Sequence, residues 1–302
     1  MRKHIAVSAL ALALCCVMCL GFVPATAANS APVAENFEFE TFREVSFGGQ
    51  LAAVDPEGDT LSFEITTQPV KGSIELNEDG SFVYTPAEGK KGKDYFGYKA
   101  TDSEGNSSQE ATVIIRLVKN KSVSYVDMNG NGSYCSAVRL AECGAFIGKQ
   151  MGGEYYFEPE QTLTRGEFLS MCLEVTGADL LSGVISTGFT DDSDIPDWQK
   201  AYVSSAVKAG VVKGRYSDGG AYFDAKSPIS RAEAMVMLNR SLRLSDVSYL
   251  NAGDAAPSWA AQAAANLTAC NVISSFGAGS DALTRSEAAD MLAAAMDLIE
   301  KR

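Results

Sequence analysis

The chain has 302 residues, 46% of them hydrophobic, and a formal net charge of −13 at pH 7. That acidic balance argues against a nucleic-acid partner, which needs a basic footprint. His4 is the only histidine and lies in the extreme N-terminal stretch, so Ser-His-Asp or Cys-His catalysis by the body of the chain is excluded.

Residues 1–28 read as an export signal. Arg2 and Lys3 precede an apolar run from Ile5 to Val23, and Ala25-Thr26-Ala27-Ala28 offers small residues for cleavage. Lipidation of Cys15, Cys16 or Cys19 would need a small residue just before the cysteine, and Leu14, Cys15 and Met18 do not supply one. Nothing later is long and apolar enough to span a bilayer, so the expectation is an exported product without membrane insertion. Loss of the signal removes Arg2 and Lys3 but no acid, taking the net charge to −15.

Residues 29–118 read as an antiparallel β-sandwich. Leu61-Ser62-Phe63-Glu64-Ile65 and Ser73-Ile74-Glu75-Leu76 alternate apolar and polar positions, and Phe82-Val83-Tyr84 and Tyr95-Phe96-Gly97-Tyr98 continue the pattern. Turn clusters at Asp55-Pro56-Glu57-Gly58-Asp59, Asn77-Glu78-Asp79-Gly80 and Ser103-Glu104-Gly105-Asn106 separate them. A span of about 90 residues suffices for one sandwich core. Asp55, Glu57, Asp59 and Asp102 are candidate oxygen ligands for calcium; the competing reading is a polar turn whose backbone Pro56 and Gly58 set. The phrases DPEGDTLSFEI and DGSFVYTP, with Asp94-Tyr95-Phe96 and Asp102-Ser103-Glu104-Gly105, resemble bacterial cadherin-like or Ig-like extracellular modules. Such modules serve as spacers or adhesive arms. Residues 119–122 form a short linker that leaves the two halves abutting.

The C-terminal half writes one phrase three times: Leu163-Thr164-Arg165-Gly166-Glu167, Ile229-Ser230-Arg231-Ala232-Glu233 and Leu283-Thr284-Arg285-Ser286-Glu287. A hydroxyl followed three positions later by Glu is a capping box, and the apolar residue before it is placed as a hydrophobic staple. The Arg faces the positive end of the helix dipole, a cost of a few tenths to about 1 kcal/mol. Its recurrence suggests an anion receptor built from guanidinium and helix N–H groups, against the blander reading of a surface ion pair. Upstream of the middle Arg lie Phe189-Thr190-Asp191, Trp198 and a helical run from Gln199 to Val212, with Ala201, Tyr202, Ser205, Ala206 and Ala209 on one face. The first copy has Tyr125-Val126-Asp127, Tyr134 and Phe157; the third has Tyr249-Leu250-Asn251 and Trp259. Three helix–loop–helix units of roughly 55–65 residues are a repeat architecture.

Asp127-Met128-Asn129-Gly130-Asn131-Gly132 opens like an EF-hand loop, but its twelfth position is Val138 where a bidentate Glu is needed. The remaining cysteines, Cys135, Cys143, Cys172 and Cys270, read as small buried hydrophobes. Cys135 and Cys143 lie about 12 Å apart on one helix, too far to pair, while a Cys172 bridge to either stays open.

The triplicated pattern of aromatic-x-Asp, Trp, Gly and T-R-x-E resembles the S-layer homology repeat, with copies at 123–180, 186–244 and 247–302. The resemblance implies an all-α, three-repeat, pseudo-threefold bundle whose grooves bind wall polysaccharide, in cases carrying pyruvate ketals. Carried over by position, Arg165, Arg231 and Arg285 would hold the acidic sugar group, and Trp198 and Trp259 would line grooves. Tyr134 would replace Trp in the first copy, and Asp127 and Asp191 would orient sugar hydroxyls or the loop. Without the resemblance, an aromatic ahead of an Ala-rich helix reads as core. The expected function is noncovalent anchoring of a secreted, wall- or S-layer-associated protein, without enzymatic activity or an obligatory cofactor. The alternative is a calcium-dependent adhesin or assembly protein whose sandwich meets a protein partner.

Overall fold

The computed structural model describes residues 29–120, 123–217, 219–248, 256–274 and 281–302. The signal stretch and Tyr249-Leu250-Asn251 of the third copy lie outside the described residues.

The β-rich part contains β1 (Val33–Ala34), β2 (Phe37–Phe42), β3 (Phe47–Gln50), β4 (Ala53–Val54), β5 (Ser62–Thr67), β6 (Gly72–Leu76), β7 (Ser81–Pro86), β8 (Gly92–Thr101) and β9 (Ala111–Val118). One sheet runs β2-β9-β8-β5 and a second β3-β7-β6, with β1 and β4 paired apart. Inward positions of β7, β8 and β9 supply Phe82, Tyr84, Phe96, Tyr98, Val113 and Ile115, all buried, so the alternation read from the sequence is the core itself. One expectation is corrected: β2 pairs with β9 in parallel, so the sandwich is not wholly antiparallel. The chain crosses between sheets after β2, and its first long strand returns beside the last. Inside the core, the Tyr84 hydroxyl donates to Asp94 at 2.9 Å, and Asp94 also accepts the Val70 and Lys71 N–H groups. The buried carboxylate is thereby satisfied.

The helical part holds α1 (Tyr134–Glu142), hairpin β10–β11 (Lys149–Met151, Glu154–Tyr156) and α2 (Arg165–Val175). It continues with α3 (Asp197–Lys208), hairpin β12–β13 (Arg215–Ser217, Gly220–Tyr222), α4 (Arg231–Leu242), α5 (Ala261–Ala269) and α6 (Arg285–Glu300). Each second helix of a pair starts at a complete capping box, on Thr164, Ser230 and Thr284. The buried face of α3 is Gln199, Val203, Ser205 and Ala206, not the Ala201–Ala209 set expected, because Ala201 and Tyr202 are half-buried and Ala209 is exposed. The cysteines are free; Cys135 and Cys172 are buried, but Cys143 is exposed because it is the C-cap of α1 rather than part of its packed face.

The three apolar residues that precede the caps close a cycle. Leu163 N–H donates to Leu283 C=O at 3.0 Å, Leu283 N–H to Ile229 C=O at 2.9 Å, and Ile229 N–H to Leu163 C=O at 3.0 Å. All three side chains are buried. Two residues on, a second ring runs in the opposite sense: Arg165, Arg231 and Arg285 N–H donate to Ser227, Asp281 and Gln161 carbonyls, each at 2.9 Å.

The two parts share a core. Phe42 and Val45, from the β2–β3 turn, belong to the helical cluster with Tyr125, Met128 and Tyr134. Gly48 N–H donates to Gly132 C=O at 2.7 Å, and Cys135 N–H in the first turn of α1 donates to Ser46 C=O at 3.1 Å. Ser46 thus takes one of the orphan donors of the α1 N-terminus. Ser133, the N-cap, makes no cap bond and gives its hydroxyl to Asp290 on α6.

Ion pairs follow the direction of the Arg N–H ring. Arg165 pairs with Glu233 at 2.9 Å and Arg231 with Glu287, the capping-box acid of the following copy in each case. Arg285 pairs with Glu158 at 2.6 Å. Burial raises the pKa of Glu233, but hydrogen bonding from Arg215 and the charge of Arg165 outweigh it and hold the group below 4.5. Burial also works against Glu287, and the Thr284 N–H and Arg231 prevail. Glu158 is lowered by its hydrogen bonds from Lys149 and Arg285. With folded values below 4.5, these groups add stability that is complete above that pH and lost as pH falls through the depressed values. The thermal midpoint of the mature chain is expected to stay level at neutral pH and to drop as the pH falls below 4.5, through the depressed values of these groups. Glu233→Gln should flatten part of that drop in a melting series; an acid slope identical to wild type would contradict the assignment.

Candidate functional site

The candidate site lies where the N-terminus of a second helix meets the first helix of the next pair. α2 packs on α3, α4 on α5, and α6 on α1. At the first of these junctions Gln199, next to Trp198, lies against Gly166, next to Arg165; a Cβ at 166 would stand 2.0 Å from Gln199 Oε1. The glycine in the first helical turn is therefore the space that Gln199 needs. Gln199 Oε1 is buried without a hydrogen-bond partner. The other second helices carry Ala232 and Ser286 at the position of Gly166.

The three Arg side chains differ in access. Arg165 and Arg285 side chains are 5% exposed, whereas Arg231 is 23% exposed. Arg165 Nε donates to Phe223 C=O at 3.0 Å, with the guanidinium 5.5 Å from the Phe223 ring centroid. Arg285 donates to Phe157 C=O at 3.0 Å and lies 5.1 Å from the Phe146 ring centroid. Both meet a carbonyl, a carboxylate and an aromatic face, although the buried Nε of Arg285 has no hydrogen-bond partner. Arg231 keeps a buried Nε without a partner.

Asp127 and Asp191 do the same work in two copies. Asp127 accepts from Phe157 and Glu158 N–H at 2.9 and 2.7 Å, and Asp191 from Phe223 and Asp224 N–H at 2.9 and 2.8 Å. Glu158 and Asp224 have φ of 56° and 58°, so each aspartate clamps a left-handed residue just before a capping box. Of the two roles open to these aspartates, the structure displays the loop-holding one.

Trp198 and Trp259 stand out of the surface, 58% and 59% exposed, so neither is a core residue. Trp198 meets Tyr202 edge-on at 6.3 Å, and the Tyr202 hydroxyl donates to Glu174. Tyr134 is not their counterpart. It is buried, and its hydroxyl accepts the Tyr125 N–H at 3.0 Å. The three first helices end with the same turn, in which Ala145 N–H bonds Leu140, Val211 bonds Ala206, and Val272 bonds Leu267. Counting back from that turn sets Gly132 opposite Trp198 and Trp259.

In the sandwich, carboxylate oxygens of Asp55, Asp59 and Asp102 lie within 4.8 Å of one another. Glu57 is not among them, because its carboxylate turns away to accept the Ser30 N–H and hydroxyl at 3.2 and 3.1 Å. Asp55 Oδ1 accepts the Glu57 and Asp59 N–H groups, the turn anticipated for Pro56 and Gly58, while Asp55 Oδ2 is buried without a partner. Asp102 accepts from Glu104, Asn106 and Asn29. Burial raises its pKa, but the bonds from Asn106 and its neighbours prevail and lower it.

Sequence reasoning missed the buried amide of Gln199 and the pairing of each Arg with an acid in another copy. The recurrence of Glu in all three capping boxes was the available signal for the second.

The bacterial cadherin-like domain model matches residues 29–119, and the S-layer homology domain model matches residues 188–235. A surface-layer 125 kDa protein of Lysinibacillus sphaericus is 27% identical over 195 residues, covering 60% of this chain and 16% of that protein. An exoglucanase, XynX, of Acetivibrio thermocellus is 27% identical over 154 residues, covering 46% of this chain and 13% of that protein. The chain thus spans less than a fifth of the length of either relative. Among solved structures, an endo-fucoidan hydrolase of glycoside hydrolase family 107 overlaps 32% of this chain and 14% of its own, at 22% identity and a TM-score of 0.26, too little to bear on fold or chemistry. Among the described residues, no helix is long and apolar enough to cross a membrane. The chain carries a bacterial cadherin-like domain at 29–119 followed by an S-layer homology domain at 188–235.

Proposed function

We propose that this is a non-enzymatic surface protein held noncovalently to the bacterial cell wall by its helical part, which binds an anionic secondary wall polysaccharide. The S-layer homology match and the surface-layer relative support wall anchoring. The matched domains are non-catalytic modules, and the hydrolytic activity of the exoglucanase belongs to a protein of which this chain spans 13%. In this reading the helix pairs at 123–180, 186–244 and 247–302 are three copies of one repeat in a pseudo-threefold bundle, consistent with the closed cycle through Leu163, Ile229 and Leu283.

The observation that carries the reading is the pair of exposed indoles, Trp198 and Trp259, at one equivalent position on two helices. A large aromatic face left in water at the edge of a junction is a platform for the apolar face of a sugar ring. Arg231, the most accessible of the three guanidinia, is the direct receptor for an acidic substituent. At all three a ligand acid would have to compete with a protein carboxylate, Glu287 at Arg231 and Glu233 or Glu158 at the more buried Arg165 and Arg285.

The test is sedimentation of the mature chain with the producing organism's wall sacculi. Trp198→Ala, Trp259→Ala and Arg231→Ala should each weaken binding about tenfold, equivalent to ~1.4 kcal/mol. Equal recovery on sacculi stripped of secondary polysaccharide would overturn the reading.

A second reading concerns calcium, and the orphaned Asp55 Oδ2 favours it. The donors are all carboxylate oxygens, as a hard cation requires, so Asp55, Asp59 and Asp102 would hold the ion, with carbonyls and water completing six or more ligands. Bound calcium would staple the Asp55–Asp59 turn to the β8–β9 connection and stiffen the cadherin-like domain as an adhesive or assembly module. At a hundredfold excess over Kd, binding stabilises by ~2.7 kcal/mol, a shift of several degrees in the melting midpoint. Addition of calcium to chelator-treated protein should produce that shift in wild type and not in Asp55→Asn; no shift in wild type removes the metal.

A further inference from the structure

Three junctions bring a capping-box helix against the first helix of the next pair, and one of them is built differently. Trp198 stands at the α2–α3 junction and Trp259 at the α4–α5 junction, both exposed. At the α6–α1 junction the equivalent position is Gly132. Its carbonyl is taken by the Gly48 N–H of β3 at 2.7 Å. A Cβ at Gly132 would stand 3.3 Å from Gly48 Cα and 3.4 Å from Val83 Cγ2, and a Cβ at Gly48 would stand 3.1 Å from Gly132 Cα. Backbone lies close on backbone there, and a Cβ on either residue would press against the other chain.

The contact is continuous with a wider interface, which also leaves a cleft of about 940 Å³ between β2 and the α1–α6 pair. The Ser46 carbonyl caps Cys135 N–H one turn further on, and Phe42 and Val45 are buried in the helical core. On the other side of α1, Ser133 bonds Asp290 at 2.7 Å and Arg139 pairs with Asp297 at 2.6 Å, closing α1 onto α6. At this junction Arg285 is enclosed between Phe157, Glu158 and Phe146, as deeply as Arg165 is at its own.

We propose that the cadherin-like domain is the permanent occupant of the α6–α1 groove, so that this chain offers the wall two open grooves rather than three. The count of two rests on the wall-binding reading; the occupancy of the third groove does not. An indole at position 132 would collide with β3, so a sugar platform and the docked domain exclude each other. The glycine pair has exchanged a ligand site for an intramolecular interface.

The experiment has two arms on the mature full-length chain. In the first, polysaccharide fragments released from the producing organism's sacculi are titrated calorimetrically. Two sites per chain are expected, one after Trp198→Ala and none after Trp198→Ala/Trp259→Ala. Three sites in wild type, or binding that survives the double substitution, would overturn the proposal. In the second arm, small-angle scattering compares wild type with Gly132→Trp and Gly48→Val, with far-UV circular dichroism checking that each folds. Both variants should show a larger radius of gyration as the sandwich leaves the groove, and Gly132→Trp should gain a third binding site. Unchanged scattering from both would overturn the occupancy. A wild-type chain that binds no fragment removes the count of two together with the wall-binding reading, and scattering then decides the docking alone.

Discussion

The helical part depends on three backbone hydrogen bonds that no single helix pair can make. Leu163, Ile229 and Leu283 each donate to one neighbour and accept from the other, so the cycle has no free end. Buried peptide groups without partners are costly, and an open version would leave one N–H and one C=O orphaned in an apolar centre. The helix pairs are therefore obligate partners. The same geometry explains the cation at an electrostatically poor helix position. In the first two copies the Arg reaches past its own helix to the capping Glu of the next copy, where an acid already lies beside a helix N-terminus. The local cost in each helix is offset across the junction.

That solution has a consequence for where a ligand is met. The Arg and Asp residues of the repeated phrases are largely consumed in holding the structure: Asp127 and Asp191 clamp left-handed loop residues, and Arg165 and Arg285 hold the carbonyls of Phe223 and Phe157. What is left facing water is the start of α3 and of α5. The exposed indoles stand there, and Arg231 is the guanidinium that retains access. Recurrence alone cannot separate a residue kept for assembly from one kept for binding.

Local features were legible in the sequence. A capping box is complete within four residues, and all three form as read. Strands β5 to β8 follow from alternation because each buries one face. The failures are non-local. Alternation carries no strand direction, so the parallel pairing of β2 with β9 was invisible. Tyr134 was matched to Trp198 by its aromatic ring, whereas the fold aligns the turns that end the helices and sets Gly132 there. Glu57 was grouped with Asp55 and Asp59 by proximity, yet the turn that gathers the aspartates points its carboxylate at Ser30. Gly166, in the first turn of α2, finds its reason only in Gln199, 33 positions along the chain.

A repeat protein can vary a copy only where its neighbours do not depend on it. The cycle residues and capping boxes are each held by another helix pair, while the starts of α3 and α5 touch solvent. The start of α1 instead lies against β3. Because Phe42 and Val45 are buried among the helices, the sandwich is not tethered by its linker alone; it shares their core. Any force or ordering imposed on the helical part at a surface is then transmitted to the sandwich through packed side chains. The close approach of Gly48 and Gly132, with Phe42, Val45 and Ser46 beside it, sets the orientation in which the cadherin-like domain is presented.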